Sequence, residues 1–135
     1  EKIISKLNIP LKYFPNIIHP NAQINKDFKK GYGNIIHSYV TISRDVKIGS
    51  FVNILPKSTI NHDVNIGSYT IINSNTILSG DIKIGKSCYI GQGANIRDHI
   101  SIGNFSLIGM GSVVTKSLKG NGVYYGCPAK FIRNI

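Results

Sequence analysis

Residues 60–85 read INHDVNIGSYTIINSNTILSGDIKIG, and within them an aliphatic residue returns at every sixth position: Ile60, Ile66, Ile72, Leu78 and Ile84. The same phase extends outward through Ile36, Ile42, Ile48 and Ile54 on one side and Ile90, Ile96, Ile102, Ile108 and Val114 on the other. Four residues after each aliphatic stands a small or β-branched side chain: Val40, Val46, Val52, Ser58, Val64, Thr70, Thr76, Ile82, Cys88, Ala94, Ile100, Ser106 and Ser112. Helices space apolar residues at three and four and single strands at two, so a strict six predicts a short strand and a turn, repeated. Glycine follows the aliphatic at positions 49, 67, 85, 91, 103 and 109, where a missing side chain permits a tight or left-handed backbone; Asn61 and Asn73 fill similar slots.

Before residue 36 the phase is kept by Ile18 and Ile24 but interrupted by Lys30, in Lys29-Lys30-Gly31. An irregular segment is therefore expected near residues 25–35. The chain reads as one domain over residues 1–135: a helical or extended lead-in over 1–16, the repeat over 17–114, and a terminal loop and tail over 115–135. At 135 residues it is too short for two ordinary domains.

Tryptophan is absent and isoleucine dominates the apolar residues, which favours strands over a large aromatic core. No apolar run approaches the roughly 18 residues of a membrane helix, and no basic-then-apolar leader opens the chain, so a soluble cytoplasmic protein is expected. Cys88 and Cys127 are far apart and lack Cys or His neighbours at metal-ligand spacing, so neither a zinc site nor a redox motif is expected. The net charge of +10 suits an anionic partner, but the lysines are scattered and aromatic residues are not interleaved with them as a nucleic-acid platform requires.

The pattern aliphatic-glycine-x-x-small-x, sustained over residues 36–114, resembles the hexapeptide-repeat family. That resemblance implies an all-β fold: a left-handed parallel β-helix, a triangular prism with eighteen residues per coil. The left hand opposes the usual rule for parallel crossovers and is taken from the resemblance alone. Residues eighteen apart would then stack at the inter-strand spacing of ~4.8 Å. The family also implies a homotrimer with active sites at subunit interfaces, a closed cyclic assembly.

One hexad, Ile60-Asn61-His62-Asp63-Val64-Asn65, places an imidazole and a carboxylate at a turn where most hexads carry small or neutral residues. Histidine exchanges protons near neutral pH and suits the general base of acyl transfer, with Asp63 to orient it. Eighteen residues after His62 comes Gly80, whose amide is a candidate donor to the oxyanion of a thioester under attack.

The aliphatic-x-His-acidic-x-x-Ile-Gly run at residues 60–67, followed by Ser79-Gly80 and Ile84-Gly85, is similar to the sialic acid O-acetyltransferase and UDP-amino-sugar N-acetyltransferase group. Gly109-Met110-Gly111 and Gly126-Cys127-Pro128-Ala129-Lys130 resemble that group's closing segments. The resemblance implies an acetyl-CoA-dependent transfer to a sugar or nucleotide sugar, with His62, Asp63 and Gly80 catalytic. It places the cofactor against Gly80, Gly91, Gly109, Gly111, Pro128, Ala129 and Lys130, the last as a point charge for phosphate. Ile17-Ile18-His19-Pro20-Asn21-Ala22 resembles that group's junction with a small nucleotide-sugar-binding α/β domain, which the 135 residues do not contain. A chain opening on Glu1 fits either part of a longer protein or a short member that has been processed. Departures from the group are Leu55-Pro56 in the preceding hexad, Ile71 where a second histidine is common, and the short acid Asp63.

Two other readings share the fold. A γ-type carbonic anhydrase needs three histidines that include a pair five residues apart, which His19, His37, His62 and His99 do not supply. A non-catalytic scaffold or binding module is the alternative to the transferase, since a fold does not fix a function.

Overall fold

The computed structural model describes the backbone of residues 2–135 and the side chains from Ile3 onward. A short helix, Lys2–Lys6, and a 3-10 turn, Leu11–Tyr13, lead into strands of two residues each. Between Ile17 and Val114 every strand ends on a residue of the six-residue phase, and each pairs in parallel with the strand eighteen residues away, as Ile71↔Asn53 and Ile71↔Tyr89 show. Three sheets result. The first stacks the strands that begin at Ile17, Ile35, Asn53, Ile71, Tyr89 and Leu107, the second those from Gln23 to Val113, and the third those from Lys29 to Ser101. This is a parallel β-solenoid of about six turns, as the left-handed β-helix implied by the repeat requires.

The prism interior is filled by the phase residues and their partners four positions on. Ile54, Ile60, Ile72, Leu78, Ile90 and Ile108 have no exposed surface. Burial of each such side chain contributes roughly 1.5–3 kcal/mol. Ser58, Thr70 and Thr76 face the same interior without being orphaned. Their hydroxyls donate to the carbonyls of Asn73, Gly85 and Gly91 in the next coil, at 2.8, 3.0 and 3.2 Å. Cys88 sits among them with Sγ 3.2 Å from the Gly103 carbonyl, and burial pushes its thiol pKa up.

The left-handed backbone falls elsewhere than on the glycines that follow the aliphatics. From Tyr39 through Gly111, the residue three after each aliphatic has positive φ, including Phe51 at 58°, Asp63 at 60° and Tyr69 at 62°. Such a conformation costs a non-glycine residue roughly 1–2 kcal/mol. At every such residue except Asp45 it is held by an N–H that reaches the turn carbonyl of the coil below, as Tyr69 to Ser50 at 2.9 Å and Asp81 to His62 at 3.0 Å. Stacking of Phe51 on Tyr69, with centroids 5.3 Å apart, adds to one such column. The glycines after the aliphatics serve close approach instead: a Cβ at position 67 would lie 2.6 Å from backbone atoms of Gly85 and Lys86.

Two expectations are corrected. Lys29–Lys30 forms a regular strand, paired in register with Lys47–Ile48, so no bulge interrupts residues 25–35. Lys30 is tolerated in an aliphatic slot because this is the first strand of its sheet, where the side chain stays exposed with Nζ 5.4 Å from the centre of the Phe28 ring. Residues 115–135 are also more ordered than a loop and tail. Gly122–Gly126 adds in parallel to Leu107–Ile108, and Ala129–Asn134 returns antiparallel beside it. This hairpin caps the first sheet, with Tyr124 buried and its hydroxyl donating to the Lys119 carbonyl at 2.6 Å. No helix of the described residues is long and apolar enough to cross a membrane.

Gly67→Ala is expected to destabilise the protein by roughly 1–3 kcal/mol, because the methyl must force two coils apart. Gly93→Ala, at φ 69° with open space around it, should cost only about 1 kcal/mol, from backbone strain. Urea denaturation of both variants tests the distinction; an equal cost at the two positions would refute close approach as the role of Gly67.

Candidate active site

The corner between the second and third sheets carries the candidate chemistry. Strand Thr59–Ile60 ends, Asn61 to Val64 make the turn, and Asn65–Ile66 begins the next face. Val64 is fully buried and anchors the turn, which turns His62 outward with about half of its side chain exposed. His62 Nδ1 lies 2.8 Å from Asp63 Oδ2. With the proton on Nδ1 donated to that carboxylate, the lone pair of Nε2 is free to accept a proton.

Gly80 lies directly over this ring. A Cβ there would be 2.5 Å from His62 Cε1 and 2.6 Å from Nε2, so any side chain at position 80 would displace the imidazole. The Gly80 carbonyl accepts from the His99 N–H at 3.1 Å, while its own N–H has no acceptor among the described residues. The turn leaves the equivalent N–H of Arg44 and His62 unpaired too, but only at Gly80 does the residue's own side chain not stand in the way. His62, Asp63 and Gly80 are thus brought together.

The remaining candidates lie on another edge of the prism, between the first and second sheets and beneath the hairpin. Gly109 donates its N–H to Tyr124 at 2.8 Å, and a Cβ on it would strike the Tyr125 side chain at 2.7 Å. Gly111 is exposed at φ 66° with nothing within reach. Pro128 is in the hairpin turn, Ala129 packs on the core, and Lys130 is exposed opposite Tyr125. Gly91 is buried, with its N–H bonded to Ile108 and the space of a side chain taken by backbone from Ile108 to Met110, so coil stacking alone accounts for the glycine.

Sequence reasoning left His99 unassigned, although the eighteen-residue column places it above Asp81. Its Nδ1 is 2.8 Å from Asp81 Oδ2, and its Nε2 is 3.4 Å from Asp98. The hydrogen bond to Asp81 raises the His99 pKa above the ordinary 6.5, with the charge of Asp98 adding to it. Together Asp27, Asp45, Asp63 and Asp81 form a column of carboxylates up this corner, topped by His99.

Because the folded-state pKa of His99 is raised, the stabilisation from this pair is fully present below pH 6.5 and is lost as pH rises through the folded value. In an NMR titration the His99 ring is expected to protonate at higher pH than 6.5, and Asp81→Asn should bring it down. An unchanged midpoint in Asp81→Asn would show that the two side chains do not pair in solution.

Residues 81–116 match the family description "Bacterial transferase hexapeptide (six repeats)". A comparison with curated protein sequences gives no match. Among solved structures, PerB of Caulobacter crescentus, determined with CoA and GDP-perosamine, superposes with a TM-score of 0.88 at 28% identity, over 89% of this chain and 58% of its own. WeeI of Acinetobacter baumannii AYE superposes with a TM-score of 0.82 at 30% identity, over 85% of this chain and 57% of its own. The acetyltransferase domain of PglB from Neisseria gonorrhoeae FA1090 shares the fold, with a TM-score of 0.89 at 24% identity, over 97% of this chain and 62% of its own. The chain thus spans less than two thirds of each of these proteins. By its repeat and its fold, it is similar to the hexapeptide-repeat sugar acetyltransferases.

Proposed function

We propose that the protein is an acetyltransferase that moves the acetyl group of acetyl-CoA to an amino or hydroxyl group of a sugar or nucleotide sugar, in a ternary complex. The observation that carries this reading is the His62 ring held between the Asp63 carboxylate and the bare backbone of Gly80. The likeness to PerB, solved with CoA and GDP-perosamine, supports it.

In this mechanism His62 Nε2 takes the proton of the acceptor as its nitrogen or oxygen attacks the thioester carbonyl. Asp63 fixes the ring and favours the imidazolium that forms. The negative charge that develops on the carbonyl oxygen meets the Gly80 N–H. Collapse of the tetrahedral intermediate expels the CoA thiolate, which leaves as the thiol once protonated, and no acyl-enzyme forms. The cofactor would lie against Gly80, Gly109, Gly111 and the hairpin residues Pro128, Ala129 and Lys130, with Lys130 facing phosphate.

A homotrimer fits this arrangement. His62 and Gly111 project from different edges of one prism, so threefold packing would set the catalytic edge of one copy beside the cofactor edge of the next. The outer face of the first sheet supplies apolar surface for such packing, in Ile17, Ile35 and Tyr89, exposed by 61%, 38% and 45%. A cytoplasmic location suits the use of acetyl-CoA.

His62→Ala should lower kcat roughly 100- to 10,000-fold while leaving CoA affinity unchanged. Thiol release with a panel of UDP-amino sugars and sialic acid, beside calorimetric titration of CoA, measures both. Full turnover by His62→Ala would sink the mechanism, and failure of the wild type to bind CoA would favour a non-catalytic scaffold. Sedimentation equilibrium should give a mass of three chains of 14.8 kDa; a monomer would remove the proposed shared site.

A further inference from the structure

The turn that carries Gly80 is bound twice to the turn above it. The His99 N–H donates to the Gly80 carbonyl at 3.1 Å, and the His99 ring comes back to the next residue, with Nδ1 2.8 Å from Asp81 Oδ2. From the other side, the Asp81 N–H reaches the His62 carbonyl at 3.0 Å. The peptide between Gly80 and Asp81 is therefore held at its oxygen by His99 and at its nitrogen by His62, one coil away in each direction.

The side-chain pair has a cause in Gly80 itself. Asp45 and Asp63 each meet the residue before them in their own turn, Arg44 and His62. Asp81 follows a glycine, which has no side chain to offer, and is met from the coil above instead. A carboxylate left alone there would stand one residue from the N–H at which the oxyanion forms, and would oppose its negative charge. A protonated His99 offsets that carboxylate.

The charged groups about His99 are Asp81 below, Asp98 with Oδ2 3.4 Å from Nε2, Arg97 on the same turn and, on the turn above, Lys116. The hydrogen bond to Asp81 and the charge of Asp98 favour the protonated ring and raise its pKa above 6.5, against the opposing charge of Arg97.

We infer that His99 is a positioning residue for the acyl transfer: it holds the Gly80–Asp81 peptide from above and offsets the Asp81 charge beside the oxyanion. This rests on the transferase reading and adds an alkaline limit to it. His62 must be neutral to accept a proton, so turnover rises from the acid side. His99 must be charged, so turnover falls as pH rises through its midpoint.

The pH dependence of kcat in wild type, His99→Gln, Asp81→Asn and the double variant tests it. His99→Gln should lower kcat roughly three- to tenfold at neutral pH, with CoA affinity unchanged, and should lose the alkaline decline. Adding Asp81→Asn should restore kcat, because no carboxylate then needs to be offset. Asp81→Asn alone should stay flat where wild type declines. An alkaline decline that survives Asp81→Asn, or a double variant as slow as His99→Gln, would overturn the inference. The Gly80 amide resonance gives a readout independent of turnover: it should shift with pH at the His99 midpoint in wild type and not in Asp81→Asn. Absence of that shift in wild type would also overturn the inference, whereas a wild type with the shift and no turnover would sink the transferase reading and leave the coupling of His99 to Gly80 supported.

Discussion

Residues eighteen apart stay in register because each corner of the prism borrows a carbonyl from the corner below. The N–H of the positive-φ residue makes that bond at coil after coil, from Phe51 to Tyr32 at 2.8 Å up to Gly111 to Gln92 at 2.8 Å. A left-handed backbone at phenylalanine, tyrosine or aspartate is unfavourable in isolation. Here the bond below, the ladder of the flanking two-residue strands and the buried anchor that follows all demand it. Once the corner is fixed, its residues point in fixed directions, and the chemistry of the surface becomes a matter of which side chain occupies which column.

The site depends on this register directly. His62 and Gly80 are distant in sequence by a full coil, and a change of one residue between them would bring a neighbour of Gly80 over the imidazole. Coil stacking requires Gly67 and Gly91, whose missing side chains are filled by backbone. Gly80 is a different case, since what fills its space is the His62 ring. A glycine imposed by a side chain, rather than by the backbone of the next coil, marks the place where the repeat has been adapted for chemistry.

Much of this was legible in the sequence. The six-residue phase gave the strands, the interior and the column that joins His62 to Gly80, because an interior too narrow for variation forces an aliphatic at nearly every slot. The hairpin over residues 122–134 lies beyond the repeat, and its antiparallel pairing leaves no six-residue trace. Lys30 misled because apolar periodicity registers a lysine as a break, whereas at the first strand of a sheet its slot borders solvent. The left-handed positions were hidden for a related reason: hydrogen bonds from the neighbouring coil, not glycine, stabilise them, so the residue types there vary from Asp to Phe. His99 went unassigned although the same column rule puts it above Asp81, because pairing across coils becomes visible only when the rule is applied to polar residues as well as apolar ones.

The corner of carboxylates beside a face of lysines raises the question of what keeps opposite charges on one prism from simply neutralising each other. Successive positions on a strand face opposite sides, and the residues at a corner diverge from those on the flat face beyond it. Arg44 and His62, adjacent in sequence to the acids they meet, reach Asp45 and Asp63 first. Those pairs leave Lys29 and Lys47 on the flat face with solvent as their partner. An exposed ammonium is stable in water, so these lysines need no ligand for folding and contribute little to stability. Charge that the fold does not use therefore stays with water and does not weaken the solenoid that displays it.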